Sequence, residues 1–212
     1  MKAILSLYLV IYSFNTFCQK TNITEKDVFA SNEIVFYGYD YSHFKLEEAK
    51  RINDKNIKQY IPAWIDFLNK HTNEKDLQKR FKKEKVIFNF DYTTSLINKI
   101  NEDDLVTATR YTIQPNDIQK IINKYQIKEK QGIGFVVILE SFEKESKRCN
   151  AYFTFFDIST KKIIMSDYFG ANEADGYGLS NYWGVGLNAT FGKYIADVYR
   201  KKLKASKKQI NG

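Results

Sequence analysis

Apolar positions along this chain follow two periods. Residues 33–41 (EIVFYGYDY) and 85–92 (KVIFNFDY) are nearly unbroken apolar and aromatic runs, as in strands covered on both faces. Three further runs, 134–142, 151–158 and 163–169, have strand length and β-branched or aromatic composition. The polar turn Ser159-Thr160-Lys161-Lys162 joins the last two, and the three together predict a β-meander. Elsewhere apolar residues recur at spacings of three and four, the period of a helix. Ile57, Tyr60, Ile61, Trp64, Ile65 and Leu68 share one face over 55–71, where Pro62 either belongs to the first turn or kinks the helix. Residues 74–83 predict a second, highly charged helix, and Thr93 or Thr94 caps a third that runs through Leu96, Ile97 and Ile100.

Pro115, Asp117 and the apolar face of Ile118, Ile121, Ile122 and Tyr125 predict a helix over 115–125. Residues 42–46 either open a helix from Ser42 or form an ordered loop, and 105–111 either pair weakly as a strand or finish the helix before them. A glycine-rich loop, 170–178, then precedes a long terminal helix capped by Ser180 or Asn181, with Trp183, Leu187, Phe191, Ile195 and Val198 on one face. Gly184, Gly186 and Gly192 each lower its propensity by about 1 kcal/mol relative to alanine, which is tolerable where a helix lies close against a sheet. The expectation is a single α/β domain over 33–204. Its mixed sheet has about five strands, two early ones each followed by helices and then the meander, with helices packed on it.

The amino-terminal pattern is of another kind. Lys2, an apolar run over 3–12 and a polar stretch with Thr16 and Cys18 at the small positions before Gln19 form a signal peptide over 1–18. The run is about half of the roughly 20 residues that a spanning helix needs, and no later run is longer, so no stable transmembrane segment is expected after cleavage. The expected compartment is the periplasm, with secretion or a lipid anchor on Cys18 as alternatives. Phe17 beside Cys18 argues against the anchor. A polar lead-in over 19–32 and a basic tail over 205–212 flank the domain. Cys149 is then the one mature cysteine, so no internal disulfide is expected.

Net charge is +8, with basic residues concentrated at Lys79-Arg80-Phe81-Lys82-Lys83 and from Arg200 to Lys208. With no recognition motif of interleaved aromatic and basic residues, nucleic acid is not an expected partner; an envelope protein or an anionic envelope polymer is. With two histidines, His43 and His71, and no ligand pair at finger or helical spacing, no metal site and no cofactor are expected. Asp40, Asp91, Glu173 and Asp175 could supply carboxylates to calcium or magnesium, but the 12-residue calcium loop is absent.

Candidate chemistry centres on a near-repeat: 35–42 (VFYGYDYS) aligns without a gap on 86–93 (VIFNFDYT). If the two runs are parallel neighbours, Asp40 and Asp91 lie at the carboxyl edge of the sheet, where open α/β folds bind ligands. His43, three residues after Asp40, is the one base placed to serve there, and Glu140 is a further acid. The plainer meaning of Asp followed by a hydroxyl residue is strand exit and helix capping. The loop carries neither a dinucleotide nor a phosphate-loop motif. Tyr177, Asn181, Tyr182 and Trp183 are its candidates for contact with a protein or glycan.

Through VFYGYDYSHFKL, IPAWIDFLN, TFFDISTKKII and GYGLSNYW the chain resembles a family of uncharacterised exported proteins of Gram-negative bacteria. In that family the loop before the last helix reads Gly-Gly-Phe-Gly-Phe-x-Asn-Tyr-Trp. Here the stretch runs from Asp175 to Trp183, and Asp175 replaces the first glycine. The resemblance implies compartment and fold more than activity. In layout the chain is also similar to the envelope accessory domains of the curli-secretion lipoprotein, the penicillin-binding-protein activator and the amino-terminal domain of the Tol translocation protein, which are interaction modules without catalytic residues. The expected function is an exported, non-enzymatic binding or assembly module of the cell envelope. The alternative is a small periplasmic hydrolase or ligand-binding protein using Asp40, His43 and Asp91.

Overall fold

The computed structural model describes residues 23–47 and 57–210, so the leader over 1–18 with Cys18, and the start of the helix expected from residue 55, lie outside the described residues. Strand β5 (Ile133–Glu143) runs through the middle of the sheet. Along one edge its first half pairs in parallel with β1 (Glu33–Asp40) and its second half with β2 (Lys45–Glu47). Outside these lie β3 (Lys85–Phe88) against β1 and β4 (Val106–Thr107) against β2, both parallel. The other edge of β5 carries the antiparallel meander, β6 (Arg148–Asp157) and then β7 (Ile163–Asn172). Among the described residues seven strands thus fill five positions across a mixed sheet. The stretch expected as helix or loop after Ser42 supplies β2, because a turn in which the Phe44 amide donates to the Tyr41 carbonyl returns the chain to the edge of β5.

The strand expected over 85–92 stops at Phe88, and helix α4 (Asp91–Ile97) starts three residues later. Thr93 Oγ1 donates to the Tyr37 carbonyl at 2.6 Å and holds this helix against β1. There β1 bulges at Gly38, whose φ is +83° and whose missing Cβ would lie 2.8 Å from the Phe90 ring. The two similar runs are parallel neighbours, the condition on which an edge site at Asp40 and Asp91 rested, but Val35 sits opposite Ile87, one residue from the motif alignment.

Each face of the sheet buries its own core. Phe36, Phe135, Phe153 and Phe155 face α2 (Tyr60–His71), α3 (Glu74–Phe81) and α6 (Leu179–Tyr194), while Val35, Tyr37, Val136 and Ile138 pack with α5 (Pro115–Asn123). Pro62 falls in the first turn of α2, where its missing N–H has no helical acceptor to lose. On α6, Trp183 stacks on Phe142 (4.6 Å, 15°) and Tyr194 on Phe153 (3.9 Å, 10°). Added side chains at Gly184 and Gly186 would strike Phe67 of α2 and Cys149 of β6, which explains those two glycines by close approach.

The expected apolar face of the terminal helix changes register. A π-turn at Ile195–Tyr199 inserts one extra residue before α7 (Arg200–Ile210). Tyr199 and Leu203 are buried in consequence, and Val198 is only half-buried. Tyr199 sets its ring edge-on to Phe81 (4.8 Å) and donates to the Phe81 carbonyl.

The polar stretch before β1 contains a helix, α1 (Glu25–Ala30), capped by reciprocal Thr24 and Asp27 bonds and seated by the fully buried Val28. Lys83 holds its other end. The Lys83 ammonium is buried and donates to the Val28 and Ser31 carbonyls, which α1 leaves without helical partners. Burial pulls the lysine down to about 8 from 10.5. Between those values the unfolded chain keeps a proton that the folded state has released, so stability rises with pH across that window. Lys83→Met is expected to lack this rise. In urea titrations at pH 8, 9 and 10 the stability advantage of the native sequence should grow, and a constant difference would refute the assignment.

Candidate functional site

Asp40 ends β1 with its side chain fully buried. One carboxylate oxygen accepts the Ser42 amide at 2.8 Å and the other accepts the Tyr125 hydroxyl at 2.6 Å. Burial, and then the Asp40 charge, hold the Tyr125 phenol far above its ordinary range, so it stays a donor. Asp91 opens α4 at the surface and pairs with Lys128 at 2.6 Å. Between them Tyr92 and Tyr125 set their rings 4.9 Å apart, and the Asp40 charge helps to raise Tyr92. The topology therefore brings both aspartates to the carboxyl edge but gives them separate partners. His43 is half-buried and makes no hydrogen bond to either among the described residues. Asp40 accepting the Ser42 amide makes the strand-exit turn, and Asp91 stands in the first turn of α4, which is the plainer of the two meanings of the motif.

Glu140 is likewise engaged elsewhere. It sits at a bulge in β5 opposite β6, nearly fully buried, and accepts the Ile113 amide (2.7 Å) and the Tyr168 hydroxyl (2.8 Å). Burial raises its pKa, and the Glu47 charge adds to the rise. Glu47 is itself buried and accepts the Tyr111 amide. Beside them Asn150 bridges Ser141 and Glu143 and accepts Arg148 Nε. This polar floor has no motif. Its sequence signal is the break in alternation at Glu140-Ser141, where a bulge turns two successive polar side chains to one face.

In the glycine-rich loop, β7 runs on through Asn172, Glu173 pairs with Lys193, and Ala174 is buried with its amide on the Lys147 carbonyl. Asp175 accepts the Gly176 amide at 2.8 Å. Gly176 (φ +108°) and Gly178 (φ +80°) flank Tyr177, which is 97% exposed. Helix α6 starts at Leu179 with Gly178 as its cap, two positions ahead of the expected Ser180 and three ahead of Asn181. Of the four contact candidates, Tyr177 and Asn181 face solvent, and Tyr182 is half-buried edge-on to Trp183. Trp183 is a core residue, 1% exposed, and is withdrawn from the contact surface. Among the described residues no three histidine, cysteine or carboxylate side chains are grouped to hold a metal ion, so Asp40, Asp91, Glu173 and Asp175 do not assemble one.

Comparison with protein-family models, curated proteins and solved structures gives no match to this chain. Asp40→Asn should destabilise the fold by about 1–3 kcal/mol through loss of buried charge-assisted hydrogen bonding. Asp91→Asn, at an exposed ion pair, should cost about 1 kcal/mol or less. Urea unfolding at pH 7 measures both, and equal costs would overturn the contrast.

Proposed function

We propose that this chain is an exported, non-enzymatic binding or assembly module of the cell envelope, with the loop before α6 as its contact surface for an envelope protein. Tyr177 carries the reading. A tyrosine 97% exposed between two glycines of positive φ is held out by backbone geometry that other residues rarely adopt. Tyrosine joins large contact area to low conformational cost, the property that makes it frequent at binding surfaces. Asn181 stands one helical turn away with its amide toward the Tyr177 carbonyl, so both present polar groups at the same tip.

Export is supported by the leader-like pattern over 1–18 and by the family resemblance. Among the described residues no helix is long and apolar enough to cross a membrane. The hydrolase alternative has less support, because Asp40 spends both oxygens on the fold and His43 engages neither aspartate.

Affinity capture of the tagged protein from crosslinked cell envelope, followed by mass spectrometry, tests the reading. A reproducibly retained envelope protein should be lost at least tenfold on Tyr177→Ala, with the circular dichroism spectrum unchanged, and kept on Asp91→Asn. Retention unaffected by Tyr177→Ala would overturn the assignment of the loop.

A further inference from the structure

A second surface lies at the other end of α6 and does not depend on the contact loop. Between α3 and the junction of α6 with the π-turn is an open groove of about 370 Å³, lined by Arg80, Asn188, Ala189, Gly192, Ile195, Ala196 and Arg200. Its lining contains two guanidinium groups and no carboxylate. Among the described residues neither Arg80 nor Arg200 has a hydrogen bond or an ion pair through its side chain. Elsewhere Lys85, Lys120, Lys128, Lys193 and Lys202 are paired with carboxylates. Asn188 adds a third donor. Its side-chain oxygen accepts Thr72 Oγ1 at 3.4 Å, which leaves the amide hydrogens for the groove.

The floor is built from residues that keep the space open. The absent Cβ of Gly192 would sit 4.0 Å from Arg80 Nη1, with no nearer atom, so any longer side chain there would fill the position beside the guanidinium. Close packing explains Gly184 and Gly186 but not this glycine. The π-turn completes the arrangement. Asn188, Gly192 and Ala196 follow each other at four-residue spacing along one side of the helix. The extra residue turns Tyr199 into the core and leaves Arg200 exposed at the next position of the groove. A π-turn costs helix hydrogen-bond geometry and is found frequently at functional sites.

We propose that the Arg80–Arg200 groove binds a phosphoryl group, as carried by a free phosphorylated small molecule or by a phospholipid headgroup. Two planar guanidinium forks and an amide donor match the tetrahedral array of phosphate oxygens, and arginine binds such groups in bidentate fashion where lysine acts as a point charge. Exposed Lys79, one residue from Arg80, adds to the positive field at the rim. Asp197, the nearest acid along the π-turn, lies outside the lining.

The test titrates the purified protein with inorganic pyrophosphate at low ionic strength by calorimetry, and measures flotation with phosphatidylcholine vesicles with and without phosphatidylglycerol. Arg200→Gln, Arg80→Lys and Gly192→Leu should each weaken binding about tenfold or more, whereas Lys207→Gln, an equal or greater loss of charge outside the groove, should change it less than twofold. Arg200 is exposed, so its variant should keep the native unfolding midpoint even if Gly192→Leu does not fold. Arginine-dependent pyrophosphate binding identifies a soluble ligand. Arginine-dependent flotation without pyrophosphate binding identifies the headgroup. No binding of either probe, or equal losses for Arg200→Gln and Lys207→Gln, would overturn the proposal.

Discussion

The structure depends on the burial of one long strand. Strand β5 is covered on both faces and paired on both edges, so all its backbone groups must find partners inside the protein. Its eleven residues exceed the reach of β1, and the chain completes the edge by turning at Tyr41 and laying down β2. The parallel edge strands bring the helices that cover the faces, and the antiparallel meander closes the other side. Phe135 is the centre of the larger core, stacked against Phe36, Phe155 and Phe191, with each such pair adding about 0.5–1.5 kcal/mol beyond the area it buries.

So complete a burial leaves little freedom to polar groups within it. Asp40, Glu47, Glu140 and Lys83 are each buried, and each is satisfied by backbone amides, tyrosine hydroxyls or carbonyls that the fold would otherwise strand. The tyrosines beside Asp40 and Glu140 are held well above their usual titration range, chiefly by burial. They act as permanent donors. Among the described residues Tyr39 and Tyr41 are the exceptions, with buried hydroxyls that have no hydrogen-bond partner in the larger core. Their rings contribute to packing through Phe36, Phe44 and Trp64, which offsets the cost of the bare hydroxyls.

Because the core absorbs Asp40 and Glu140 and an exposed ion pair with Lys128 engages Asp91, the surface features that stand out are those the core cannot explain. The tip at Tyr177 is one. The groove beneath Arg80 is the other, since a glycine that close packing does not explain, a π-turn and two guanidinium groups without an ion pair among the described residues coincide there. They lie toward opposite ends of α6, so one helix supports two separate surfaces.

The local pattern was enough to determine the α/β class, the strands of the meander and the helices around Trp64 and Ile118, because each depends on the period of apolar residues over a single element. Boundaries set by partners were beyond it. Lys85 to Tyr92 looks continuous, but Thr93 on the Tyr37 carbonyl and Phe90 over Gly38 end the strand at Phe88. Trp183 next to a flexible loop looks available for contact until Phe142 is found stacked beneath it. Asp40 and Asp91 share a motif, yet one is buried under Tyr125 and the other is solvated beside Lys128, a difference made by chain segments more than thirty residues away. The shift from Val198 to Tyr199 has the same origin. Regular periodicity predicts a straight α-helix, and only the packing of Tyr199 against Phe81 and Phe155 favours the inserted residue that carries Arg200 to the groove. Period and propensity act within a few residues, whereas burial and hydrogen-bond satisfaction are properties of the assembled core, and at this chain's candidate sites the core decided.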